Sequence, residues 1–156
     1  MCSQWNALAE PFLYERILIS NAEQLEKLAQ TLSMPSKGCT GTRGSYVVRL
    51  DLAFRWSTIN AFTSNDIYIF GILELCTRLL ALNVSCNRGN AFHEFSRFAD
   101  SIPRSIEYLY WYFITMPMHP LVWVEFLDDH PHLKVINVLP RPLVSTSAAN
   151  RAAGKV

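Results

Sequence analysis

The chain has almost no charge of one sign to spare: 14 Lys and Arg stand against 13 Asp and Glu, a formal charge of +1. The basic residues are scattered. That argues against a nucleic-acid binder, whose affinity rests on a stripe or patch of cations facing phosphate. No apolar run reaches the length a bilayer-spanning helix needs, so no membrane partner is expected. The stretch from Met1 to Glu10 lacks the charged start and long apolar core of a secretion signal, and the chain reads as intracellular, cytoplasmic or nuclear. Cysteine is sparse: Cys2, Cys39, Cys76 and Cys86 include no C-x-x-C pair. In a reducing compartment all four are expected to be free, with Cys76 and Cys86 serving as small hydrophobes in apolar segments. The sequon Asn83-Val84-Ser85 falls inside an apparent core strand and carries no weight as a glycosylation site.

What the chain does have is hydrophobic residues, 50% of its 156 positions, enough for the core of one ordinary domain. Short runs rich in aromatic, Val, Ile and Leu residues predict strands over 14–19, 46–54, 80–86, 107–113 and 135–139. Each has an apolar-x-apolar centre: Ile17-x-Ile19, Leu50-x-Leu52, Leu82-x-Val84, Leu109-x-Trp111 and Ile136-x-Val138. Their first members are 33, 32, 27 and 27 residues apart, a drifting period of the kind that signals a solenoid. The intervening segments predict helices over 21–34, 65–77, 90–101 and 121–129. In the first of these, Leu25, Leu28, Ala29 and Leu32 form one stripe. Ser20 with Glu23 suggests a capping box, Pro35 and Pro103 mark stops, and Pro120 suits a first helical position.

Alternation of strand and helix favours right-handed crossovers and a mostly parallel sheet. The expected fold class is therefore α/β, a leucine-rich-repeat-like solenoid with helices on one side of the sheet and an open strand face on the other. The stretch 35–45, rich in Gly, Ser and Thr, reads as an exposed, mobile connection. The tail 141–156 is expected to be flexible, because its small polar residues cannot bury enough surface to fold alone.

The run Cys2-Ser3-Gln4-Trp5-Asn6-Ala7-Leu8-Ala9-Glu10-Pro11-Phe12-Leu13-Tyr14 resembles the end of an F-box of the fungal type. There a Cys or Ser, a Trp three residues on and Leu-Ala lead into Pro-x-Leu-Tyr and a first strand. Leu13 to Ile19 and Gln24 to Ala29 resemble the segment that follows the F-box, and Tyr46 to Leu52 the next strand. Ile72-Leu73-Glu74-Leu75-Cys76-Thr77-Arg78-Leu79 is similar to the family's I-L-x-x-C-P-x-L turn, with Thr77 in place of the usual Pro. His130-Pro131-His132-Leu133 repeats the idea with the Pro present. The resemblance covers roughly residues 1–140 and rests on the ordered series more than on any one piece. It implies an F-box-helix end at 1–13, a leucine-rich-repeat-like domain at 14–140 and the tail beyond. In that family the F-box binds the Skp adaptor of a cullin-based ubiquitin ligase and the repeats recruit the target. The implied role is substrate recognition, with a Skp-type adaptor as partner only if a complete F-box lies upstream. The competing reading is an inert truncated fragment or mis-started gene model, motivated by a chain that starts within the last F-box helix.

Residues flanking the inward apolar positions point to the other face of the sheet. These are Arg49, Asp51, Asn83, Ser85, Tyr108, Tyr110, Tyr112 and Asn137. Tyrosines beside charged and amide groups suit protein recognition, and the alternative is a solvated sheet face. Trp5, with Leu8, is either a remnant of an adaptor contact or packs the N-terminal helix onto the first repeat as a cap; the need to cover a solenoid end favours the cap. His130 and His132 flank a proline in a turn and are expected to be solvent-exposed, with no partner at fixed spacing to make a metal site. His93 beside Glu94 reads as a polar helix face, and His119 as a loop or cap residue. Gly38, Gly41 and Gly44 lack the preceding strand and Gly-Lys-Ser/Thr ending of a phosphate loop. Asp128 and Asp129 are neighbours that diverge by about 100° on a helix and more simply end it. No serine or cysteine sits in a recognisable nucleophile elbow. No enzyme activity, cofactor or metal is expected.

Overall fold

In the computed structural model, residues 3–21, 23–36, 41–53, 62–85, 95–114 and 120–140 are described. The elements in chain order are α1 (Ser3–Tyr14), β1 (Arg16–Ile19), α2 (Gln24–Ser33), a 3-10 turn (Arg43–Tyr46), β2 (Arg49–Leu52) and α3 (Phe62–Leu75). They continue with β3 (Ala81–Ser85), α4 (Phe95–Ser101), β4 (Tyr108–Ile114), α5 (Pro120–Asp129) and β5 (Val135–Pro140). The protein is α/β: the five strands form one sheet in the order β1-β2-β3-β4-β5, and every pair is parallel.

The register explains the drifting period. Ile17, Leu50, Leu82, Leu109 and Ile136 are cross-strand partners in one row, and Ile19, Leu52, Val84, Trp111 and Val138 form the row two residues on. Spacers of unequal length thus return the chain to the same height on the sheet. The strand starts repeat as well. The carbonyls of Glu15, Val48, Leu80 and Glu107 each accept the amides of two consecutive residues on the next strand, at 2.8–3.1 Å. Those amides belong to Val48 and Arg49, Leu80 and Ala81, Glu107 and Tyr108, and Lys134 and Val135.

The inward rows and one face of the helices make a single core. Leu50, Leu52, Leu82, Val84, Leu109 and Trp111 are buried with Leu25 and Leu32 of α2, Ile69, Ile72 and Leu73 of α3, Phe98 of α4 and Phe126 of α5. Phe98 meets Trp111 edge-on at 4.9 Å between ring centroids. Each such side chain stabilises the fold by about 1.5–3 kcal/mol through burial. At the last strand the cover thins, and Ile136 is 40% exposed although it stands in an inward row.

Four local expectations are corrected. α2 starts at Gln24 rather than near 21, and no Ser20–Glu23 box caps it. The side chain of Asn21 instead accepts the Glu23 amide at 3.0 Å, an Asx turn that competes with helix for the same backbone group. α1 runs through Pro11 to Tyr14, and Trp5 and Leu8 do not cap the array, being 72% and 65% exposed. α1 is held by its one charged residue: the buried Glu10 accepts from Arg43 at 2.6 Å and from the Ser36 hydroxyl at 3.0 Å. Ser36 also lies 2.7 Å from the Tyr46 hydroxyl, and the Arg43 guanidinium stands over the Tyr14 ring.

The third correction concerns the stretch expected to be an exposed connection. Its described part is pinned: Pro35 bridges Thr42, Ser36 and Gly44 are buried, and residues 43–46 wind into the 3-10 turn against the end of α3. The fourth is His130, which is buried rather than exposed, while His132 is exposed as expected. Residues 37–40 and the tail 141–156 lie outside the described residues, as do Cys2, Cys39, Cys86, His93, Glu94 and His119.

Candidate protein-binding face

Parallel in-register pairing sends alternate residues of every strand to the same side of the sheet. The eight residues singled out from sequence share the side opposite the core. Asp51, Asn83, Tyr110 and Asn137 are partners across β2, β3, β4 and β5. Arg49 and Tyr108 stand in the row before them, aligned through Ala81, and Ser85 pairs with Tyr112 in the row after. All are exposed or half-buried. Trp5 and Leu8 are on α1 and do not belong to this block.

The face has an ordered polar end. Arg49 donates to Asp51 through Nε at 2.7 Å and Nη2 at 3.0 Å, a two-pronged contact between residues two apart on one strand. Partial burial works to raise the Asp51 carboxyl, but hydrogen bonds from Arg49 and Asn83 together with the positive charges of Arg49 and Arg16 outweigh it and hold the group below its ordinary range. The same hydrogen bond to Asp51 raises Arg49. Because the Asn83 amide nitrogen serves the carboxylate, its Oδ1 is turned elsewhere, and that buried oxygen has no hydrogen-bond partner among the described residues. A second ion pair sits at the strand starts, Lys134 to Glu107 at 2.8 Å.

Sequence reasoning missed two members of this face. Arg16 pairs in register with Arg49, and Leu18, which is exposed, pairs with Asp51. The signal was there in the alternation about Ile17 and Ile19, but Leu18 in the apolar run Ile17-Leu18-Ile19 looks like core.

The other residues weighed from sequence have the following surroundings. His130 has its ring nitrogens 2.7 Å from the Phe126 carbonyl and 3.1 Å from the Ile102 carbonyl. Burial pushes the Cys76 thiol up to about 12, far from a reactive thiolate. Asp128 and Asp129 are exposed at the end of α5, with Asp129 3.6 Å from Arg104. Gly44 packs against Leu75 at the end of α3, and Gly38 lies outside the described residues. Among the described residues no group of three or more His, Cys, Asp and Glu is placed to hold a metal ion, and no helix is long and apolar enough to cross a membrane.

No protein-family model matches the chain, and neither the curated proteins nor the solved structures contain a significant match to it.

Proposed function

We propose that this chain is a protein-recognition module, a leucine-rich-repeat-like solenoid that captures a partner on the open face of its sheet. The observation that carries the reading is the register. It lays Tyr108, Tyr110 and Tyr112 of one strand beside Arg49, Asp51, Asn83, Ser85 and Asn137 of its neighbours. Half-buried tyrosines lose little side-chain entropy on binding and offer both an apolar ring and a hydroxyl, which is why such residues concentrate at interface hot spots.

The finer reading is that of the target-recruiting part of an F-box protein in a Skp–cullin–F-box ubiquitin ligase. It rests on the sequence resemblance, and two structural features are in keeping with it. The strands follow one another across the sheet in chain order, as stacked repeats require. In α1 the exposed residues Trp5, Leu8, Ala9 and Phe12 recur at helical spacing, so that helix carries an apolar stripe suited to a neighbouring protein such as a Skp-type adaptor.

The test uses two surfaces separately. Tyr110→Ala with Tyr112→Ala should weaken capture of the target at least tenfold while circular dichroism and Tm stay close to the parent. Unchanged capture would overturn the strand-face reading. Purified Skp-type adaptor should be captured by a version extended upstream with a complete F-box. Capture by that version and not by the present chain assigns the adaptor contact to the longer protein. Loss of both target and adaptor capture in a folded extended version leaves the inert-fragment reading.

A further inference from the structure

The two ends of the sheet are finished differently. At one end β1 is four residues long, opens on the exposed Arg16 and has α1 packed beside it. At the other, β5 runs for six residues, Val135–Pro140, and contains no charged residue. Short length, charges, proline and covering elements are the means by which an edge strand avoids pairing with another chain. β5 has only the proline, and that is its last residue. The Val135 amide is bonded to the Glu107 carbonyl at the start of β4. Backbone groups alternate sides along a strand, so those of Ile136 and Val138 point to the open edge, where no further strand follows among the described residues.

The helix layer ends in the same way. α5 packs against α4, and its Phe126 is buried. Asp129 lies 3.6 Å from Arg104, which follows α4. At about 100° per residue, Asp129 stands roughly 60° to one side of Phe126 and Leu127 about 100° to the other, with Val124 beyond it. Leu127 and Val124 are both exposed, so the flank of α5 turned away from α4 is apolar. Val135 and Ile136 are exposed as well, although Ile136 stands in an inward row. Both layers therefore leave an apolar margin at the same end. The charges of α5 add a direction. Asp128 and Asp129 close the helix with no basic residue in its last turn, and no acid stands in its first. Acids at a C-terminal end oppose the helix's own dipole, and a neighbouring helix that runs antiparallel reverses the sign.

We propose that this margin is covered by a second copy of the chain, β5 pairing antiparallel with its counterpart across a two-fold axis so that the two sheets become one. A two-fold pairing is self-complementary. Centred on Asn137, it sets Ile136 of one copy opposite Val138 of the other, and each takes up the backbone groups the other leaves at the edge. The axis stands through the sheet, so both helix layers come to the same side and the two α5 helices run antiparallel. Leu127 and Val124 then face the other copy. Asp128 of each copy lies toward the N-terminal end of the opposing α5, where negative charge is favoured. Head-to-tail stacking of β5 on β1 instead meets Arg16 and α1, and an open association of that kind does not stop at two. The pair uses the sheet edge and leaves Tyr108, Tyr110 and Tyr112 uncovered, so it stands whether or not that face binds a protein.

Sedimentation equilibrium on the full chain tests the pairing. It should show monomer and dimer in exchange, and nothing larger, over about 5–500 µM. Val124→Lys with Leu127→Lys should raise the dissociation constant roughly tenfold or more, because apolar contact is lost and like charges meet across the axis. Both positions are exposed and cations are favoured near a helix C-terminus, so circular dichroism and Tm should stay close to the parent. Hydrogen exchange supplies a readout that needs no variant. The Ile136 and Val138 amides should exchange more slowly as chain concentration rises, while the Leu82 amide inside the sheet keeps its rate. Tyr110→Ala with Tyr112→Ala should leave association unchanged. A monomer at every concentration, growth beyond the dimer, a dimer indifferent to the two lysines, or Ile136 and Val138 exchange independent of concentration overturns the proposal. So does a dimer dissolved by the tyrosine substitutions, which would put the second copy on the strand face.

Discussion

Gly44 offers the sharpest test of the packing. A Cβ built on this residue would lie 2.5 Å from the Leu75 carbonyl oxygen, 2.8 Å from the Leu75 Cβ and 2.9 Å from its carbonyl carbon. Optimal contacts between such atoms are about 3.5–4 Å. The opposing atoms are backbone or the first side-chain atom of the last residue in α3, so no rotamer change relieves the clash. Gly44→Ala must therefore push the 3-10 turn off the end of α3. That turn also carries Arg43, the partner of Glu10, so strain there reaches α1. Overpacking of this kind costs about 1–3 kcal/mol, of which about 0.4–1 kcal/mol is recovered from the lower entropy of the unfolded chain. A net loss of about 1–2 kcal/mol reduces the folded-to-unfolded ratio by roughly 5- to 30-fold and lowers Tm by about 2–8 °C. Urea denaturation should show an earlier midpoint with an unchanged slope. Gly71 in α3 supplies the control, because a Cβ added there would meet nothing within 4 Å. Gly71→Ala should stabilise the protein by about 0.5–1 kcal/mol through helix propensity. A neutral or stabilising Gly44→Ala beside a stabilising Gly71→Ala would refute the idea that the turn is wedged against α3.

Further expectations follow from the core and the open face. With its thiol pushed up to about 12, Cys76 should resist alkylation in the native protein at about pH 8, where roughly one thiol in ten thousand is ionised, and react after denaturation. Peptide mass spectrometry reads the difference, and rapid native labelling would contradict the burial. Asp51 is held below its ordinary range, so its contribution to stability is complete above that range and is lost as pH falls through the lowered value. Asp51→Asn should flatten this part of the acid limb of a Tm-against-pH profile; an unaltered limb would show that the Arg49 and Asn83 contacts contribute nothing. Leu82→Ala removes a fully buried side chain from the central strand and should cost about 2–5 kcal/mol in chemical denaturation, and a cost under about 1 kcal/mol would mean the site collapses freely.

Periodicity carried much of the fold in this chain. The apolar-x-apolar centres marked all five strands and their register, because a side chain must alternate faces along a strand and one face must be dry. The same alternation, read from the sequence alone, assigned Arg49, Asp51, Asn83, Ser85, Tyr108, Tyr110, Tyr112 and Asn137 to one side. Local capping was less legible: Ser20 and Asn21 are both good cap residues, yet α2 begins at Gln24 with no side-chain cap, and Asn21 closes an Asx turn on Glu23 instead.

Contacts between residues far apart in the chain were decided by tertiary structure alone. Glu10 looks like the polar side of an amphipathic helix until Arg43 and Ser36 are folded onto it, and that choice turns Trp5 and Leu8 outward. Gly44 reads as a loop residue until the end of α3 closes on it. His130 sits in a turn beside a proline, the setting of an exposed histidine, and is buried because Ile102, 28 residues earlier, ends its helix at the same place. A one-dimensional pattern records which face a residue takes within its own element. It does not record which partner the other elements bring to it, and these residues depend on that partner.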